Sequence, residues 1–115
     1  MEKRIDDILT YIDTSDLAAV LNLQTDIGHA SLLRALSNVQ LLDSKHQDYG
    51  PGNIAKGGID GLILRMNDKI ERIKNLTKSG KTPNHESLID CWRDLSNFGI
   101  IGELYCDGTW PKDLQ

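Results

Sequence analysis

Arg65, Asp68, Lys69 and Arg72 recur at i, i+3, i+4 and i+7, and Glu86, Asp90, Asp94 and Asn97 at i, i+4, i+8 and i+11. On helices each set forms one polar stripe. The first mixes cations with an acid. The second carries acids spaced by four, which repel one another unless a cation sits among them, and its only nearby cation, Arg93, lies off the stripe. Acids on one helix face, joined by Asp68 or Glu71 from the neighbouring helix, would supply the hard oxygen ligands that Mg²⁺ prefers. Asp68, Glu86, Asp90 and Asp94 are therefore the metal candidates. Lys69 and Arg72, with Arg65 on the same stripe, would donate to phosphate oxygens, Arg through its bidentate fork and Lys as a point charge.

The stretch KHQDYGPGN, residues 45–53, holds more side-chain chemistry than a connector needs. Tyr49 could stack on a base, Asn53 could hydrogen-bond a base edge or a phosphate, and Lys45 adds positive charge. The competing reading is two solvated stripes with local pairs such as Asp68 with Arg72, each contributing about 0.3–0.5 kcal/mol.

These residues need helices to position them, and the apolar spacing supplies such elements. Ile5, Ile8, Leu9 and Ile12 read as an opening amphipathic helix, and Ser15 with Asp16 as the cap of a short helix through Leu17, Val20 and Leu21. A longer helix carries Ile27, Leu32, Leu33, Leu36, Val39, Leu41 and Leu42 until DYGPGN stops it. From Gly58 the run Ile59, Ile63, Met66, Ile70, Ile73 and Thr77 spans a further helix, ended by Gly80 and Pro83. Asn84 is the expected cap of the last helix, which rests on Leu88, Trp92, Leu95, Phe98, Ile101 and Tyr105. Its Gly99 and Gly102 suggest close packing of a neighbour, and Trp92 reads as core. The expected fold is all-α, four to five helices in one compact bundle over residues 1–115, with the site-bearing part at about 45–104. The short connection makes the last two helices antiparallel, with apolar faces meeting and the edges of the polar stripes brought together.

At 115 residues, 39% hydrophobic and 26% charged, with a formal charge of −4, the chain suits a globular domain with no general attraction for duplex nucleic acid. The acids inside MEKRIDDILTYID argue against a signal peptide, and no later stretch reads as a membrane span, so a cytoplasmic protein is expected. Cys91 and Cys106 on one helix stand roughly 22 Å apart, too far to pair within it. SGKT, 79–82, lacks the first glycine and the preceding strand of a phosphate-binding loop, and GPGNIAKGG lacks the spacing of a dinucleotide fingerprint. His29, His46 and His85 show no metal-ligand spacing. Trp110 either staples the tail GTWPKDLQ or reaches a second subunit.

Taken in order, DYGPGN, RMNDKIER and NHESLIDCWRDLSNF resemble the nucleotide-modification-associated domain 1 family of small phage and bacterial proteins, and are similar in layout to MazG-like phage proteins. The matching positions are Tyr49, Gly50, Asn53, Arg65, Asp68, Lys69, Arg72, Glu86, Ser87, Asp90 and Asp94, with Phe98 where the family often has Tyr. The resemblance implies an all-α fold, a nucleotide ligand and homo-oligomers. Related pyrophosphohydrolases hold Mg²⁺ through two acidic pairs, Glu-x-x-Glu and Glu-x-x-Asp. Here Asp68-x-x-Glu71 and Glu86-x-x-x-Asp90 stand in their place, with Lys69 and Arg72 intruding among the acids, a change that binding survives more easily than turnover. The expected function is nucleotide binding between the last two helices, sequestering a nucleotide signal in a phage anti-defence role. The alternative is a Mg-dependent nucleoside triphosphate pyrophosphohydrolase, and a weaker third reading is a helical adaptor with Tyr105 and Trp110 at its interface.

Overall fold

The structure, a computed structural model, describes residues 14–50, 57–84 and 86–110. Among these residues it is all-helical, with α1 at Thr14–Val20, α2 at Asp26–Tyr49, α3 at Gly58–Ser79 and α4 at Leu88–Cys106, and no strand. The helix expected over Ile5–Ile12, Asn53 and His85 lie outside the described residues. Two compact units divide the chain, 1–47 and 48–115, with the boundary in the last turn of α2.

In the first unit α1 runs Thr14–Val20, so Ser15, its expected cap, lies within the helix. It ends on Asn22, which takes the left-handed conformation at φ 55°. Leu23 N–H then donates to Ala18 O and Asn22 N–H to Ala19 O, each at 3.0 Å, which satisfies two carbonyls that the last turn would leave without partners. Thr25 Oγ1 accepts from Gly28 N–H at 2.9 Å and starts α2. That helix stops at Gly50, φ 68°, where DYGPGN was expected to end it.

The second unit holds α3 and α4 packed together. Gly57 precedes α3 because a Cβ there would come within 2.8 Å of Gly61 Cα. Gly80, at φ 67°, closes the helix and donates its N–H to Leu76 O at 3.1 Å. The cap of α4 is Ser87, not Asn84: its hydroxyl accepts from Asp90 N–H at 3.2 Å and donates to Asp90 Oδ2 at 2.7 Å. The Ser87 oxygen satisfies the helix-start Asp90 N–H and the Asp90 carboxylate in turn accepts from the Ser87 hydroxyl, whereas Asn84 stands three residues further out. Gly108, φ 81°, ends α4, with Thr109 N–H on Leu104 O at 3.0 Å and Gly108 N–H on Tyr105 O at 3.2 Å. The reversal folds Trp110 back, and its ring is buried within the chain.

Leu62, Ile73, Cys91, Ile101 and Trp110 are buried in this unit. The helix faces differ from the expected ones. The buried stripe of α4 runs Cys91, Asp94, Asn97 and Ile101, so two polar residues point inward and Trp92, expected in the core, is 57% exposed. Gly99 is exposed and a Cβ added there would meet nothing within 4 Å, whereas one added at Gly102 would come 3.9 Å from Leu62 Cδ2. On α3 the apolar run splits: Ile73 is buried, whereas Ile59, Ile63 and Ile70 are 47%, 49% and 40% exposed. The cause is visible in the contacts: α4 lies against the flank carrying Leu62 and Lys69, to one side of the isoleucine run.

Candidate functional site

Lys69 projects from the middle of α3 toward α4 and meets acids from two places. Its ammonium lies 2.7 and 2.6 Å from the two carboxylate oxygens of Glu86 and 3.0 Å from Asp94 Oδ2. Arg72, one turn on, donates from a terminal guanidinium nitrogen to the main-chain carbonyl of Glu86. Its Nε is 3.9 Å from Glu86 Oε2, buried and outside hydrogen-bonding reach. Glu86 therefore receives both cations, Lys69 at its carboxylate and Arg72 at its backbone with the guanidinium charge close by. Because Lys69 pairs with Asp94 and Arg72 with Glu86, the chain directions of α3 and α4 oppose each other.

The two acids are held differently. Asp94 is fixed on a helix and its side chain is only 11% exposed, whereas Glu86 sits in the non-helical connection with 28% of its side chain exposed. Burial alone would pull the Lys69 pKa down, but hydrogen bonds and charge from Glu86 and Asp94 outweigh it and hold the ammonium above its ordinary value. Cys91 is fully buried in the same seam. Burial pushes its thiol pKa up and the Glu86 charge adds to the rise, against the opposing contact with Arg72 and the charges of Lys69 and Arg72.

The other expected site residues are less closely gathered. Arg65 is half-buried on α3, and Asp68 is exposed on that helix. Asp90 is engaged by the Ser87 hydroxyl at the start of α4. Tyr49, at the end of α2, is 67% exposed, and Lys45 lies in the first unit. The converging set is thus Lys69, Arg72, Glu86 and Asp94, with Cys91 as a member that its residue type alone did not announce. Its position three residues before Asp94, on the same helix face, was the available signal.

A Mg²⁺ ion would need several carboxylate oxygens facing one point. Here the Glu86 and Asp94 oxygens face the Lys69 ammonium, and Asp90 serves the helix cap. Among the described residues no group of three or more His, Cys, Asp or Glu side chains is placed to hold a metal ion. As arranged, the donor set suits a tethered organic cation better than a divalent one. An open depression of about 670 Å³, lined by Ile59, Gly102, Glu103, Cys106 and Asp107, lies at the other end of the helix pair and shares no residue with this cluster.

No protein-family model, curated protein or solved structure matches the chain. The site is therefore read from its own geometry. Among the described residues no helix is long and apolar enough to cross a membrane.

Proposed function

We propose that the protein binds a phosphate-bearing nucleotide at Lys69 and Arg72, and that it binds without turning the ligand over. The observation that carries this reading is the convergence of both cations on Glu86, whose carboxylate sits bidentate on Lys69 much as a pair of phosphate oxygens would. Charged groups placed in a helix seam cost desolvation that apolar residues of similar size would not, so their presence there is better accounted for by a ligand than by stability. Glu86 is the partner able to leave, being the more exposed of the two acids and outside the helix, while Asp94 would stay to hold Lys69 in place. A phosphate entering on Lys69 and Arg72 would gain charge-assisted hydrogen bonds from both.

The donor arrangement around Lys69 favours binding over metal-assisted hydrolysis, because the acids a metal would use are already drawn to an ammonium. Binding without turnover removes a nucleotide from solution in proportion to the protein present. That is the property a phage needs to silence a nucleotide signal of host defence.

The test is a thermal-shift titration with mono-, di-, tri- and cyclic nucleotides, with and without Mg²⁺, run beside an assay for released phosphate and pyrophosphate. At least one nucleotide is expected to raise the melting temperature of the full chain, Arg72→Ala to abolish that rise, and no phosphate to appear. Absence of any shift across the panel overturns the reading. Steady release of pyrophosphate replaces it with the hydrolase.

A further inference from the structure

Lys69 and Arg72 bring two positive charges to the α3–α4 seam, and Glu86 and Asp94 bring two negative ones. Counted over these four residues the cluster is neutral. The buried Cys91 thiol adds no charge to it, Asp90 is held by the Ser87 hydroxyl, and Arg65, one turn before Lys69, has an interaction of its own. A phosphate that displaces Glu86 therefore meets one net positive charge and keeps Asp94 as a fixed neighbour. Glu86 Oε2 and Asp94 Oδ2 stand 2.6 and 3.0 Å from the same Nζ, so they are no further apart than those two lengths laid end to end. At that separation, in a half-buried seam, water screens one anion from another less than it does at an open surface.

The number of donors points the same way. A phosphodiester has two unesterified oxygens that share a single charge, one for the Lys69 ammonium and one for the Arg72 guanidinium. Arg72 Nε is buried, has no hydrogen-bond partner among the described residues and lies 3.9 Å from Glu86 Oε2, where a tetrahedral phosphate would fill more space than the planar carboxylate. A monoester brings a third such oxygen and, above about pH 6, most of a second charge. The four-residue cluster holds no third cation for it, and the Asp94 carboxylate is an acceptor set against an acceptor. A polyphosphate multiplies the mismatch, and the formal charge of −4 on the chain adds to it.

We infer that the group received at Lys69 and Arg72 is a singly charged phosphodiester, and that Asp94 is the residue that discriminates against phosphate monoesters and polyphosphates. The inference rests on the nucleotide reading above and narrows it to one class of ligand.

Isothermal titration calorimetry of the full chain tests it, without added Mg²⁺, which would neutralise a triphosphate. For each base the ligands are the cyclic monophosphate, the linear dinucleoside monophosphate, the monophosphate and the triphosphate. At least one diester is expected to bind about tenfold or more tighter than the monophosphate and triphosphate of the same base. Whether the ring or the linear linkage binds identifies the source of the diester, and either supports the inference. Asp94→Asn, which keeps the shape and removes the charge, should shrink the preference to under about threefold. In the unaltered protein, lowering the pH from about 7.5 to about 5.5 protonates the monophosphate but not the diester, and should shrink it likewise, so the test holds even if the variant unfolds. A monophosphate or triphosphate that binds as tightly as both diesters overturns the inference and leaves nucleotide binding standing. A preference for diesters that neither Asp94→Asn nor low pH reduces overturns it too. If no compound binds, the nucleotide reading fails and takes this inference with it.

Discussion

Lys69 Nζ lies 3.0 Å from Asp94 Oδ2, an ion pair spanning α3 and α4 with the aspartate side chain only 11% exposed. A half-buried ammonium between two carboxylates from another segment ties the two helices more firmly than a solvated pair can, since water screens it less.

Removing one side of that pair leaves the other without its partner. Asp94→Ala is expected to lower unfolding stability by about 1.5–3 kcal/mol in urea denaturation. The paired change Lys69→Met with Asp94→Leu should recover most of the loss, because an apolar pair of similar size incurs no desolvation. A double variant as unstable as the sum of its single changes would show that the two residues are not coupled.

The Lys69 pKa, held above its ordinary 10.5, has a consequence at alkaline pH. A group whose folded pKa is raised contributes stability fully present below its unfolded pKa and lost as pH rises through the folded value. Cys91, raised from 9.0 by burial, acts in the same direction from a lower starting point. Stability should therefore be level through neutral pH and decline above about pH 9, with Cys91→Ser removing the early part of the decline and Lys69→Met the late part. Urea midpoints measured at successive pH values check this.

The two cysteines differ in access, Cys91 being buried and Cys106 exposed. A thiol reagent applied to the native protein should label Cys106 at once and Cys91 only at the rate of unfolding, and denaturant should equalise them. Mass spectrometry of the labelled peptides reads the difference directly. Rapid native labelling of Cys91 would mean that the α3–α4 seam opens readily.

Ser87 caps α4 through Asp90. Ser87→Ala is expected to cost about 1 kcal/mol, and Ser87→Asp or Ser87→Asn to retain most of the stability, since each keeps an oxygen for the Asp90 N–H. Asn84→Ala should change little. The reverse order of effects would return the cap to Asn84.

Helix existence was readable because Ile, Leu and Val recur at helical spacing and because glycines mark the ends: Gly50 and Gly80 stand in left-handed conformations at the predicted stops. The cap at Ser87 was readable too, as a Ser-x-x-Asp pattern lying just inside the more conspicuous Asn84. Helix orientation was not. Counting apolar spacing places Trp92 and the α3 isoleucines in the core, but α4 approaches α3 along the side bearing Lys69. A periodicity says that a helix has a greasy side; it does not say which neighbour covers that side, and on α3 two candidate sides lie adjacent. The convergence of Lys69 and Arg72 with Glu86 and Asp94 did follow from the stripes, since residues spaced by four on antiparallel helices come within reach of one another. What spacing could not foresee is that opposite charges from the two stripes would bind each other.

The mixed character of the α3–α4 seam also constrains how the two helices can move. Leu62 and Ile73 are apolar and would tolerate α3 slipping lengthwise, since one aliphatic contact resembles the next. Lys69 does not tolerate it: a slip of one turn, about 5.4 Å, carries its ammonium past both acids and strands all three charges. The ion cluster thus works as a positional key, selecting one sliding offset among several that hydrophobic contact alone would rank as near equals.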